Sequence, residues 1–268
     1  MSPVELHSER IDGARGEHVV LFLHGILGSG QNLRTLARRF VEARPELSAW
    51  LVDLRGHGRS PKRSPGPSID ACAEDVAHLA KSGPVVAVAG HSFGGKVALA
   101  LSDKMALSDV VMIDSVPGTR EPLREGDSAL AVMKTIASLD PVYPTKTAFI
   151  RALAEKHDRS IAQWLALSTE EVEGGVRFAL DRTEIEALLA DYFARDLWPL
   201  AENPPGNTRV HLVIGERSIS YSPEDRARAR AVAARQPRVS VDVLPADHWV
   251  HVDDPEGLLR VLVSRIGS

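Results

Sequence analysis

Apolar residues fall along this chain in short unbroken runs, separated by stretches whose apolar positions recur at helical spacing. Residues 19–23 read Val-Val-Leu-Phe-Leu, and similar runs occupy 49–54, 85–89, 108–114 and 210–215. Runs this short and this continuous predict strands covered on both faces. Between the first two, Leu33, Leu36, Ala37 and Phe40 mark one face of a helix. Ser68 is a candidate N-cap for a helix running to about residue 81. Ser222-Pro223 pairs an N-cap with proline at the first helical position. Residues 239–244 alternate apolar and polar, the pattern of a more exposed strand, and a last helix is expected over 254–266. Strands alternating with helices imply a mostly parallel sheet with helices on both faces. From about residue 119 to 199 the rhythm changes to helical patterns without a buried strand. We read 119–199 as a helical cap inserted over the strand ends, and 1–118 with 200–268 as the core domain. No internal repeat is evident.

A chain of 268 residues with 25% charged and 44% hydrophobic residues belongs to the ordinary globular class and is long enough for one sizeable α/β core. The net charge of −4 and the absence of a consecutive basic block exclude a nucleic-acid footprint. Arg226, Arg228 and Arg230 read as the solvated face of a helix. Cys72 is the only cysteine, so no intramolecular disulfide can form; this fits a reducing compartment. We read it as a small core residue. Residues 1–7 lack an apolar segment of the secretory kind, and no run approaches the ~18 apolar residues of a membrane span. A cytoplasmic protein without a membrane span is therefore expected.

The chemistry centres on Gly90-His91-Ser92-Phe93-Gly94. This pentapeptide of the form G-x-S-x-G follows the strand pattern at 85–89 directly and is followed by a helical one. A strand–turn–helix context of this kind is that of a nucleophile elbow, which leaves the serine hydroxyl exposed above the sheet. A serine needs a base within hydrogen-bond reach, and the base needs a third group to orient it. In chain order the acid and then the histidine follow such an elbow. His248, on the loop after the strand at 239–244, is the expected base; His251 lies farther from that strand and is given a local structural role. A tetrahedral intermediate needs N–H donors. These are expected from the Phe93 amide and from the loop at 24–28, through the Ile26 amide. His24 is read as shaping that loop, and Asp53 and Arg55 as tying loops together. The histidines show no metal-ligand spacing with carboxylates or cysteine, and no metal is expected.

With the stretches 23–29, 53–61, 90–98 and 113–117, and His248-Trp249-Val250-His251 with Pro255-Glu256 beyond it, the chain resembles an α/β-hydrolase-fold serine hydrolase. More narrowly, it is similar to the small bacterial esterases related to the mitochondrial abhydrolase-domain proteins. The resemblance spans nearly the whole chain. It implies the α/β-hydrolase fold and cofactor-free hydrolysis of a small-molecule ester or thioester, without implying which one.

In one respect the chain departs from that resemblance. Most superfamily members carry the acid in a Gly-x-x-Asp segment after the strand that here is 210–215, and this chain has Ser218 where the aspartate would fall. Two candidates remain, Glu216 and Asp114; the second closes the preceding strand pattern and is favoured, because the esterase group has an aspartate in the matching motif. The expected function is therefore a serine hydrolase forming an acyl-enzyme at Ser92, with His248 and Asp114. A C–C bond hydrolase or a perhydrolase with the same triad is the alternative. A non-catalytic binding module on the same fold is disfavoured by the intact motifs.

Overall fold

The computed structural model describes residues 2–121 and 129–267. It begins with strands β1 (Ser8–Ile11) and β2 (His18–Leu23), then a 3-10 turn at Gly30–Leu33, helix α1 (Arg34–Ala43) and strand β3 (Leu47–Val52). Helix α2 (Ile69–Ala80), strand β4 (Val85–His91), helix α3 (Phe93–Leu101) and strand β5 (Asp109–Ile113) follow. Beyond residue 128 come α4 (Ala129–Ile136), α5 (Lys146–Ala154), α6 (Arg159–Leu165), the short strands β6 (Thr169–Val172) and β7 (Gly175–Phe178), α7 (Arg182–Ala194) and α8 (Trp198–Glu202). The chain closes with β8 (Arg209–Gly215), α9 (Pro223–Arg235), β9 (Val239–Leu244), α10 (Val250–Asp253) and α11 (Pro255–Arg265).

Seven strands form one sheet in the order β1-β3-β2-β4-β5-β8-β9. All neighbours are parallel except β1, which runs antiparallel to β3. Alternate residues of β2 explain the two layers of helices. Val20 and Phe22 pack with Leu36 and Phe40 of α1 and with Leu258 and Leu262 of α11. Val19, Leu21 and Leu23 join Cys72 and Val76 of α2 and Val97 and Leu101 of α3. Both faces of the central strands are thus dry, which is why they read as continuous apolar runs. Each such Leu or Phe contributes about 1.5–3 kcal/mol by leaving water. Cys72 lies in the second of these layers, fully buried, and burial pushes its thiol well above the usual range.

Chain order and strand order reverse at one place. From β2 the chain moves outward to β3, then crosses back to β4 on the other side of β2. The carboxyl ends of β2 and β4 therefore flank a crevice, where open α/β sheets bind their ligands.

Two features differ from the sequence reading. Strand β1 went unread because Ser8-Glu9-Arg10-Ile11 is a short, partly exposed edge strand with one apolar residue. The stretch 119–199 is not purely helical: β6 and β7 form an antiparallel hairpin, Thr169 opposite Phe178 and Val172 opposite Gly175. Its strands are four residues long and carry Glu170, Glu171 and Arg177, so they lack a buried-strand pattern. Residues 122–128 of that stretch lie outside the described residues. Among the described residues no helix is long and apolar enough to cross a membrane.

Candidate active site

Ser92 links β4 to α3 at φ +51° and ψ −115°, a conformation that side chains rarely adopt. Close packing of the flanking backbone enforces it. A Cβ on Gly90 would stand 2.1 Å from the Gly94 carbonyl oxygen, and one on Gly94 2.5 Å from the Leu23 oxygen. The elbow is clamped from both sides: the Ser92 N–H donates to the Ile113 carbonyl at 2.9 Å, and Gly95 N–H donates to the Ser92 carbonyl at 2.9 Å. Ser92 is 8% exposed.

Asp114 stands one strand over, just past β5, and is fully buried. Its carboxylate accepts from His248 Nδ1 at 2.7 Å, from Ser218 Oγ at 2.5 Å and from the Gly215 N–H at 3.0 Å. The Ser220 hydroxyl also lies 3.0 Å from His248 Nδ1. With its Nδ1 proton directed at a carboxylate, the imidazole keeps Nε2 as its acceptor nitrogen. Glu216 is exposed, and its carboxylate is not among the partners of His248. Ser92 Oγ and His248 share no hydrogen bond, but the side chain of His91, the residue before Ser92, ties the elbow to the His248 loop. His91 Nε2 donates to the His248 carbonyl at 2.9 Å, and the two rings lie 4.9 Å apart.

The loop after β2 faces the elbow. A Cβ on Gly25 would come within 2.9 Å of His91 Nδ1 and 3.6 Å of Ser92 Cβ, so this loop packs directly on the elbow. Two buried histidines brace it. His24 Nδ1 donates to the Gly25 carbonyl while Nε2 accepts from the Leu54 N–H at 3.0 Å. His57 Nδ1 donates to the Arg55 carbonyl while Nε2 accepts from the Leu27 N–H at 3.2 Å. Both are neutral, since burial pushes His24 down to about 4 and His57 to about 3. Burial acts likewise on His251, down to about 4, and on His91, well below the usual range. Asp53 accepts from the N–H groups of Gly30 and Arg59, and Arg55 forms a buried, two-point ion pair with Asp75 of α2. The Phe93 amide opens α3 and so has no intrahelical acceptor, and neither it nor the Ile26 amide meets an acceptor elsewhere among the described residues.

The stretch between β5 and β8 covers the other side. Trp164 of α6 packs edge-on against Trp249 beside His248, with ring centroids 4.7 Å apart. Ser168 Oγ donates to the Leu27 carbonyl at 2.8 Å. Lys96 of α3, fully buried, donates to the carbonyls of Gly118, Tyr192 and Arg195 at 2.6–2.8 Å. Burial and the nearby Arg120 push its ammonium down to about 8. A hollow of about 260 Å³ within this stretch is lined by apolar residues such as Ile136, Phe149 and Phe178 together with Asp140 and Arg177, and Ser92 is not part of its wall.

Sequence reasoning did not find the braces. His57, Ser218, Ser220 and Lys96 act through partners 22 to 104 positions away, and only Ser218 left a trace, by standing where an aspartate is usual.

Comparison with known proteins agrees with this architecture. The alpha/beta hydrolase family profile matches residues 20–261. The chain is 28% identical over 276 residues to the sn-1-specific diacylglycerol lipase ABHD11 of Danio rerio, covering 98% of this chain and 83% of the relative. It is 26% identical to the esterase YbfF of Escherichia coli, covering 94% and 96% of the two chains. Among solved structures, a marine microorganism esterase superposes with a TM-score of 0.82 at 22% identity, over 98% of this chain and all of that one. Because the family profile matches residues 20–261, nearly the whole chain, the chain belongs to the alpha/beta hydrolase family.

Proposed function

We propose that the protein is a serine hydrolase of carboxylic esters or thioesters that works through an acyl-enzyme. The observation that carries the reading is the Asp114–His248 contact, 2.7 Å to Nδ1, beside a serine held in a strained elbow. Ser92 Oγ attacks the carbonyl carbon and passes its proton to His248 Nε2. Asp114 fixes the tautomer and stabilises the imidazolium. The Ile26 and Phe93 amides receive the oxyanion, a role any residue there can fill because the donors are backbone. His248 then protonates the departing alcohol or thiol, and water resolves the acyl-enzyme by the same steps in reverse. The missing Ser92–His248 hydrogen bond is consistent with this, since such contacts often tighten only when substrate binds. Residues 119–199 act as a cap: Trp164, Ser168 and the carbonyls around Lys96 seat them on the body. The named activities of ABHD11 and YbfF, a lipase and an esterase, support ester cleavage.

A fluorophosphonate probe and p-nitrophenyl esters of rising chain length test the reading. Wild type should be labelled at Ser92 and turn over at least one ester. Ser92→Ala should lose labelling and several orders of magnitude in kcat. A variant keeping more than about a tenth of wild-type kcat, roughly 1.4 kcal/mol of barrier, would overturn the nucleophile assignment.

A further inference from the structure

His91 ends β4 and is 2% exposed, wedged between the pieces of chain that the proposed chemistry must hold in register. On one side is the loop after β2, where a Cβ on Gly25 would stand 2.9 Å from His91 Nδ1. On the other is the segment that carries His248. The His91 ring centroid lies 4.9 Å from that of His248, 5.5 Å from Trp249 and 4.8 Å from His251. Ser92 is the next residue in the chain. A polar ring buried this deeply needs a hydrogen-bond partner, and His91 finds one in the His248 carbonyl, 2.9 Å from Nε2.

That contact fixes the tautomer. A carbonyl oxygen can only accept, so Nε2 carries a proton. Burial, together with the neighbouring His251 and His248, pushes His91 well below the usual histidine range, so the ring is neutral and Nδ1, on the Gly25 side, carries none. A neutral ring also puts no charge beside the imidazolium that His248 becomes in the proposed reaction. The His248 carbonyl has this donor and no backbone N–H of the described residues. The His248 N–H is spent locally, on the Asp247 carboxylate at 2.8 Å. Asp114 and the Ser220 hydroxyl both meet the His248 ring at one atom, Nδ1, about which it can still pivot. The His91 bond holds the backbone from which the ring hangs.

We propose that His91 is a positioning residue for the reaction: its Nε2–H bond to the His248 carbonyl sets the reach from Ser92 Oγ to His248 Nε2. Because His91 and Ser92 are adjacent, the base is referenced to the elbow itself. This rests on the serine-hydrolase reading above. Misplacing reacting groups by about 1 Å can cost about 10²-fold in rate, so one such bond is enough to matter.

The test follows kcat and KM on one p-nitrophenyl ester, with active sites counted by fluorophosphonate labelling of Ser92 taken to completion. His91→Phe keeps a ring and removes the donor; kcat should fall about 10–100-fold, with KM within about twofold because no substrate contact is lost. His91→Gln offers an amide N–H to the same carbonyl and should recover kcat to within about threefold of wild type. If His91→Phe stays within about threefold of wild type, or His91→Gln is as slow as His91→Phe, the proposal is overturned and the ester-hydrolase reading stands. If neither His91→Phe nor the smaller His91→Leu folds, the ring serves the fold alone and the proposal falls in the same way. If wild-type Ser92 is not labelled and no ester is cleaved, both readings fall.

Discussion

At the scale of single residues, the proposed acid, Asp114, is the informative case. Asp114 occupies a strained backbone position itself, φ +44°, with three donors on its carboxylate. Losing the carboxylate in a protease triad misplaces the histidine tautomer at a cost of about 10⁴ in kcat. Asp114→Asn should show a loss of at least two orders of magnitude, and Glu216→Gln less than about twofold; steady-state rates on one good ester decide between them, and the reverse ranking would reassign the acid. The sequence carried this much because a serine at 218 leaves the customary acid position empty. It could not carry the rest. Nothing at position 218 announces that its hydroxyl binds the relocated carboxylate, and nothing at 220 announces a contact with His248. Those are distances between loops, set by how β5, β8 and β9 lie side by side.

At the scale of elements, the seat of α7 depends on a charge inside the protein. Lys96 gives three hydrogen bonds to carbonyls at the end of that helix and at Gly118. Lys96→Met fills the space but strands those carbonyls, at about 1–3 kcal/mol for each buried group left unpaired. Urea unfolding should show a loss of about 3 kcal/mol or more. Amide exchange should show α7 opening before the sheet, because its anchoring is local. A variant as stable as wild type would mean that the ammonium contributes nothing to the seat. The strands of the central sheet were legible because each is buried on both faces. The hairpin β6–β7 was not, because its strands are four residues long and carry Glu170, Glu171 and Arg177.

At the scale of the whole molecule, histidines make stability depend on pH. His24, His57, His91 and His251 are all held neutral by burial, with values pushed to about 4, about 3, well below normal and about 4. In the unfolded chain each binds a proton near pH 6.5. Between about pH 4 and 6.5 the unfolded state therefore holds more protons, and stability falls as pH falls, by up to ~1.4 kcal/mol per pH unit for each histidine. The stabilisation is complete above about pH 6.5. Urea midpoints at pH 7, 6 and 5 should drop steadily, by several kcal/mol in total. Equal midpoints at pH 7 and pH 5 would show that these rings ionise within the fold. The α/β architecture itself was readable from periodicity, and the position of the site followed from it. Ser92, Asp114, His248 and the loop at 24–28 all stand at the carboxyl ends of strands whose order reverses between β2 and β4.

The strained turn at Ser92 also bears on how such a chain can age. A non-glycine residue in that region of φ and ψ stores about 1–3 kcal/mol. Ser92→Gly would release part of it, and should melt above Ser92→Ala while hydrolysing nothing. Mutations that abolish the chemistry can thus raise the thermal tolerance of the fold. Under the proposed function, the strain of this turn is therefore stability given up to hold the Ser92 hydroxyl in place.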